Sequence, residues 1–253
     1  VPACGSRRML RRRNDRRLLW RSAEDERRVG RNDPRVSAFA VRQASGDDEL
    51  AASVVRKLFG KVIELGGKKL VLSECGHGYR ATRCEGPNWT GMDVPFEMES
   101  SVLTMLRYIK EGRIRVDKTK NNLPVTFHDS CNNARSCGFF EEPRELLPLL
   151  VTDFREMYPN RAENYCCSGG GGAMSMTEYT PLRLKAAKVK ADQLKATGAK
   201  IVVTTCHNCV DALTDLIRQI TVPVAIEFMG VSSYGSGRRE SSGDVRITLD
   251  LNT

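Results

Sequence analysis

Residues 196–208 read ATGAKIVVTTCHN, and residues 65–77 read LGGKKLVLSECGH. Both place a helix end, a glycine, a lysine, an apolar run and a cysteine in the same order. Glycine after a periodic segment is a helix stop, and a short apolar run bounded in this way reads as a buried strand. Two such units predict helices alternating with strands, hence a mostly parallel sheet covered on both faces. The expected fold class is α/β, a mostly parallel sheet flanked by helices, in two pseudo-repeated halves with cysteines at strand C-terminal ends.

Working outward, Asp47 can cap a helix with Leu50, Val54, Leu58 and Val62 as its apolar stripe and Gly66 as its stop. KLVLSEC (69–75) is the first expected strand, and a helix follows over about 97–111 with Val102, Leu106 and Ile109 on one face. PVTFHDSC (124–131) is the next strand, then a helix over about 141–158 broken near Pro148. Thr180 and Pro181 read as an N-cap and first helical residue. That helix turns Leu184, Ala187, Ala191 and Leu194 inward and a lysine-rich face to solvent, and ends at Gly198. KIVVTTC (200–206), the helix CVDALTDLIRQI and the strand VPVAIEF (222–228) complete the series.

The 253 residues suffice for one large domain or two small ones. Residues 1–42 hold thirteen arginines, no lysine and five acids, whereas the other 211 residues are close to neutral. Residues 1–45 therefore read as an arginine-rich leader, disordered or aberrant, residues 46–230 as the folded domain and residues 231–253 as a mobile tail. Nothing after the leader resembles a nucleic-acid module, so no nucleic-acid partner is expected. The longest apolar run, LLPLLV at 146–151, is far too short to cross a bilayer. The first thirty residues hold no signal-peptide core. The expectation is a cytoplasmic chain, membrane-associated only through partner subunits.

Nine cysteines in such a chain point to metal or redox chemistry rather than a disulfide framework. All three histidines, His77, His128 and His207, lie within three residues of a cysteine. Ligands of parallel sheets sit outside the carboxyl ends of the strands, which is where Cys75, Cys131 and Cys206 are expected. ENYCCSGGGGAMSMTEYTP (163–181) adds two adjacent thiols and a backbone stripped of side chains. Five thiols (Cys131, Cys166, Cys167, Cys206 and Cys209) exceed what one tetrahedral zinc needs. A cluster of several irons can use them, and Gly169, Gly170, Gly171 and Gly172 would give it close backbone approach and N–H donors. Cys4 and Cys84 read as ordinary small apolar residues, and Cys137 as a spare thiol near the site.

The spacing Cys131–x34–Cys166-Cys167–x38–Cys206–x2–Cys209, with SECGH, FHDSCNNARSCGFFEEPR and PNRAENYCCSGGGGAMSM, resembles the cysteine-rich CCG domain of the B-type and D-type polypeptides of heterodisulfide reductase. It is most similar to the single-CCG group, typified by the K-type polypeptide of the membrane complex serving dissimilatory sulfite reductase. The resemblance covers roughly residues 47–220. It implies a [4Fe-4S] cluster, noncubane in the best-defined relatives, held by Cys131, Cys166, Cys167, Cys206 and Cys209. The glycines and His207 would surround it, and Cys75 and His77 would lie toward the substrate, so that Cys75, His77 and His207 are the candidate catalytic residues. It further implies an oxidoreductase subunit working only within a complex. Electrons would come from ferredoxin-like or membrane electron-transfer subunits and go to a disulfide- or trisulfide-type substrate, a small protein among the candidates.

This sequence departs from the family in carrying Ser168 where the first glycine after CC is usual. It also holds no C-x2-C-x2-C-x3-C ferredoxin run, and the leader replaces the family's own segment, so the chain reads as a fragment. Two other readings remain open. Strand–CHNC–helix is how a thioredoxin-like enzyme places a dithiol, here Cys206 and Cys209. A non-catalytic zinc-binding module would use a subset of the same thiols.

Overall fold

The structure, a computed structural model, describes residues 47–72, 75–170, 173–219 and 225–228. The leader, the tail, Gly171 and Gly172 lie outside these residues. Helix α1 spans Asp48–Glu64, and Asp47 caps it by accepting from the Leu50 backbone N–H at 2.9 Å. The buried face of α1 is Ala51, Val55, Phe59 and Val62, turned from the expected stripe, of which Leu50, Val54 and Leu58 stay half-buried. Phe59 sets that rotation, because its ring meets Phe96 edge-on with centroids 5.6 Å apart. Gly66 ends the helix at a φ of 65°, a left-handed turn that glycine adopts without strain.

Strand β1 (Lys69–Leu72) follows, then a short α2 (Gly76–Tyr79), a π-helical stretch Arg80–Glu85 and α3 (Gly86–Thr90). Strand β2 (Glu97–Ser100) pairs with β1 in parallel, Lys69 opposite Glu97. The sequence pattern places residues 97–100 in the first turn of a helix. Helix α4 instead begins at Ser101, because the Ser100 hydroxyl caps it through the Val102 N–H. Glu99 fixes the change of direction: its carboxylate accepts from Lys69, Thr104 and Arg107, joining β1, β2 and α4 (Ser101–Lys110).

The second sheet has the order β3 (Val125–His128), β4 (Ile201–Thr204), β5 (Ala225–Phe228), all parallel, with Val125 opposite Ile201 and Ile201 opposite Ala225. β3 and β4 are buried at every residue, as a sheet covered on both faces requires. Helix α5 (Glu142–Leu150) joins α4 on one face, where Phe127, Leu146, Leu147, Ile201 and Val203 share a core. It stops at Leu150, well before the expected end near 158, and the chain turns extended so that Phe154 bridges to Val125 along β3. Helices α6 (Thr180–Thr197) and α7 (His207–Gln219) cover the other face, with Ala187, Ala191, Leu194, Val202, Leu213 and Leu216 as core.

Thr180 lies inside α6 rather than capping it; Tyr179 occupies the cap without a side-chain bond. The lysine face of α6 is also not uniformly solvated, since Lys190 is fully buried. The strands are four residues each, so the cysteines stand just past their ends: Cys75 and Cys131 three residues beyond β1 and β3, Cys206 two beyond β4. Among the described residues no helix is long and apolar enough to cross a membrane.

Candidate metal centre

Three segments bring five sulfurs into one unbroken chain of contacts. Cys131 hydrogen-bonds Cys166, and Cys166 hydrogen-bonds its neighbour Cys167. The Cys167 and Cys209 sulfurs are 3.3 Å apart, and Cys209 in turn meets Cys206. Cys131 comes from the exit of β3, the CC pair from the loop after residue 164, Cys206 from the residue just before α7 and Cys209 from its first turn. Cys206, Cys167 and Cys209 are 1%, 3% and 5% exposed, whereas Cys166 is open to solvent.

Crowding sorts these thiols by charge. The hydrogen bond from Cys131, then that from Cys167, pulls the Cys166 thiol far below the ordinary range. The bond from Cys209 does the same for Cys206. Their donors move the other way: Cys131 is raised by its bond to Cys166 and by burial, Cys209 by its bonds to Cys167 and Cys206 and by burial, and Cys167 is pushed up to about 12 by its bond to Cys166. Thiolate, the form that ligates metals, is thus already favoured at two positions.

Backbone donors point at the same atoms. The Ser168 N–H lies 3.2 Å from Cys166 Sγ, and the Gly169 N–H donates to Cys167. The N–H groups of Gly76 and Cys209 donate to Cys206. Ser168 sits at a φ of 65°, the left-handed region where glycine is the unstrained choice. Gly169 is required for a second reason: a Cβ there would fall 2.5 Å from Ala212 Cβ and 2.8 Å from the Asn208 carbonyl of α7. Nothing lies within 4 Å of a Cβ built on Gly170. Gly169 therefore serves packing against α7 as well as hydrogen bonding.

Of the other expected site residues, His77 reaches the thiols. Its ring hydrogen-bonds Cys206, and Asn208 lies 3.1 Å from its Nδ1. The α2 backbone comes close enough that a Cβ on Gly76 would meet Cys206 Sγ at 3.2 Å. Cys75 is half-buried and caps α2, its sulfur accepting from the Gly78 N–H at 3.2 Å. His207 is exposed on α7, its Nε2 3.6 Å from the Asp211 carboxylate one turn along; the structure does not bring it among the sulfurs.

Sequence reasoning missed several residues here. A ring nitrogen of His128 lies with the Cys167 and Cys209 sulfurs in one group whose atoms are all within 4.8 Å of one another. His128 is fully buried, and its Nε2 has no hydrogen-bond partner. Lys190 Nζ donates to Asn164 Oδ1 at 2.6 Å and lies 3.3 Å from Met157 Sδ. Burial lowers this ammonium to about 8, offset by the negative charge of Cys167, Asp129, Cys131 and Cys166. Its spacing from Ala187, Ala191 and Leu194 on one helical stripe is the signal that could have found it. Asp129, beside His128, makes a two-fold bond with Arg144 at 2.8 Å and accepts from the Arg161 N–H, fixing β3 to α5 and to the approach of the CC loop. Arg135 donates to Cys131 Sγ at 3.3 Å. Exposed Cys166 opens on a groove of about 410 Å³ whose lining includes Met176, Tyr179 and Leu182.

Residues 125–214 match the family described as CCG, cysteine-rich domain. The D-type polypeptide of dihydromethanophenazine:CoB–CoM heterodisulfide reductase from Methanosarcina mazei is 30% identical over 64% of this chain and 39% of its own length. The EtfAB:quinone oxidoreductase of Syntrophomonas wolfei is 25% identical over 68% of this chain and 24% of its own. An Hdr-like menaquinol oxidoreductase iron-sulfur subunit of Archaeoglobus profundus is 29% identical over 55% and 24%. The chain spans less than half the length of these curated relatives. The segment that matches the CCG cysteine-rich domain, residues 125–214, is the one that carries all five converging thiols.

Proposed function

We propose that Cys131, Cys166, Cys167, Cys206 and Cys209 hold an iron–sulfur cluster of the [4Fe-4S] type. The chain is then the cluster-bearing part of a heterodisulfide-reductase-like complex that passes electrons to a disulfide- or trisulfide-type substrate. The observation that carries this reading is the unbroken chain of five sulfurs with a buried cation beside it. A fully buried ammonium is costly unless negative charge offsets it, and the two groups that Lys190 bonds, Asn164 and Met157, are neutral. Thiolates bound to metal supply that charge. The orphaned Nε2 of His128, within a group that includes two of the sulfurs, fits the same occupant.

When bound, such a cluster accepts and gives single electrons and offers iron to a sulfur ligand. The protein's own contributions follow from the geometry. Burial of Cys167, Cys206 and Cys209 keeps water from that side, while exposed Cys166 and its partly apolar groove leave one side approachable. N–H groups of Ser168, Gly169 and Gly76 reduce negative charge on the sulfurs, which raises reduction potential. His77, bonded to Cys206, stands where it can hold a proton for a departing thiolate, and Cys75 flanks it at the start of α2. The burial of Cys206 and Cys209 argues against a thioredoxin-like dithiol, whose attacking sulfur must be reached from solvent.

The relatives' names, among them a menaquinol oxidoreductase subunit and a membrane-anchored ferredoxin, support partner subunits that supply electrons, ferredoxin-like or membrane-bound. This chain would then work on the cytoplasmic side. The test is the electron paramagnetic resonance of the iron-loaded full chain in a Cys84→Ser/Cys137→Ser variant, kept reduced by an excess of a one-electron donor that supplies the two electrons each disulfide takes, before and after adding a mixed disulfide of two small thiols. A perturbed signal with release of both thiols is expected. An unperturbed signal with no thiol released contradicts the disulfide substrate and leaves electron relay alone.

A further inference from the structure

The sulfurs of Cys84 and Cys137 approach to 3.1 Å, although 53 residues separate them. From this contact we propose that Cys84 and Cys137 form a second redox site, a dithiol that reduces a disulfide-bearing thiol compound and closes to a disulfide. Two sulfurs at this distance are about 1 Å from the length of a disulfide bond. Both thiols are partly exposed, so a small disulfide can reach them.

The surroundings suit exchange chemistry. Cys84 lies in the π-helical stretch Arg80–Glu85, a backbone form concentrated at functional sites. Cys137 closes the turn that begins at Cys131, held by the Gly138 N–H to the Ala134 carbonyl at 2.7 Å and by Asn133 to Thr205. The buried Tyr79 ring lies between the two elements, tilted against Phe139, with the Arg83 guanidinium 5.7 Å from its centroid.

The balance is that of thiol–disulfide exchange. One thiolate attacks a sulfur of R–S–S–R′, and R′–S⁻ leaves and takes up the proton. The second thiol then displaces R–S⁻ from the mixed disulfide, joining Cys84 to Cys137. Two electrons and two protons pass to the compound, which leaves as two thiols. The new bond staples the segment carrying Cys75, Gly76 and His77 to the turn carrying Cys131, the two walls that meet at Cys206.

The test treats the full chain, purified without oxygen, with glutathione disulfide, followed by alkylation and peptide mass mapping. The expected product is one Cys84–Cys137 linked peptide lacking two hydrogens, with two glutathione thiols released per bond formed. The unfolding midpoint is expected to rise by about 5–10 °C. The Cys84→Ser variant is expected to stop at glutathione bound to Cys137. Iron per chain in a Cys84→Ser/Cys137→Ser variant is expected to equal that of the wild type. The proposal is overturned if both thiols remain alkylated after treatment, if either pairs with another cysteine instead, or if the double variant loses iron.

Discussion

The turn after β1 and the turn after β4 are built alike and carry different side chains. Each runs from a parallel strand through a cysteine into a helix, after a left-handed glycine (Gly66 or Gly198) has ended the helix before it. In each, the cysteine sulfur accepts the backbone N–H three residues on, Gly78 to Cys75 and Cys209 to Cys206. The difference lies in what that third residue carries. Gly78 brings nothing further, and Cys75 caps its own short helix. Cys209 brings a second sulfur, which reaches Cys167 and through it the rest of the chain of thiols. A repeated turn fixes a cap; only the residue types laid on it bring further sulfurs within reach.

The sharpest break in that comparison is a pair of single substitutions. Cys206→Ser is expected to lose nearly all bound iron, whereas Cys75→Ala retains it and loses about 1 kcal/mol of stability through the lost cap. Iron analysis and thermal unfolding of the two variants check this. If both lose iron equally, Cys75 belongs to the metal centre and the two turns are chemically alike.

The second half is also more tightly anchored. The Asp129 and Arg144 side chains are 1% and 7% exposed and bonded at two points, so Arg144→Ala leaves a buried carboxylate with no cation bonded to it, only the Arg161 N–H, and is expected to cost about 3–5 kcal/mol. The corresponding anchor in the first half, Lys69 on Glu99, is more open at 22% and 11%. Lys69→Ala is expected to cost about 1 kcal/mol. Denaturant unfolding of both variants measures the contrast.

Lys190 gives the pH test. Burial lowers its pKa from 10.5 to about 8 in the folded, metal-free chain. Below about pH 8 it is charged in both states. Between there and 10.5 only the unfolded chain keeps the proton, so this group makes stability rise with pH through that window. The rise is about 3 kcal/mol at most and is absent in Lys190→Met, which isolates it from cysteine titration. Metal-bound thiolates would hold the lysine charged, so iron loading is expected to flatten the same slope.

Smaller effects come from the loop between the thiols. Gly169→Ala forces a Cβ onto Ala212 and is expected to cost about 2 kcal/mol, against less than about 1 kcal/mol for Gly78→Ala, where a Cβ meets only ordinary contacts. Ser168→Gly relieves the left-handed residue and is expected to stabilise by about 1 kcal/mol. Thermal melts of the three variants rank them.

The α/β alternation is legible in the sequence because glycine stops and apolar runs recur in both turns, and the five thiols are legible from their spacing. Strand β2 is not, since residues 97–100 alternate no more clearly than a helix entry, and the bonds of Glu99 to Lys69, Thr104 and Arg107 that settle its direction are tertiary. The buried role of Lys190 is hidden by its neighbours Lys185, Lys188 and Lys195, which look alike in sequence and differ only in which side of α6 they occupy. His128 stands near Cys131 in sequence, but its partnership with Cys167 and Cys209 joins residues 39 and 81 positions away and exists only once β3 and α7 lie side by side. The Cys84–Cys137 contact depends likewise on the π-helical stretch, which no periodicity announces.

The central measurement is iron, sulfide and zinc per chain after purification without oxygen, for the wild type and a Cys166→Ser/Cys167→Ser variant. About four irons and four sulfides per chain, lost in the variant, are the expected result. One zinc, or no metal, unchanged by removing both thiols, would contradict an iron–sulfur centre on these cysteines.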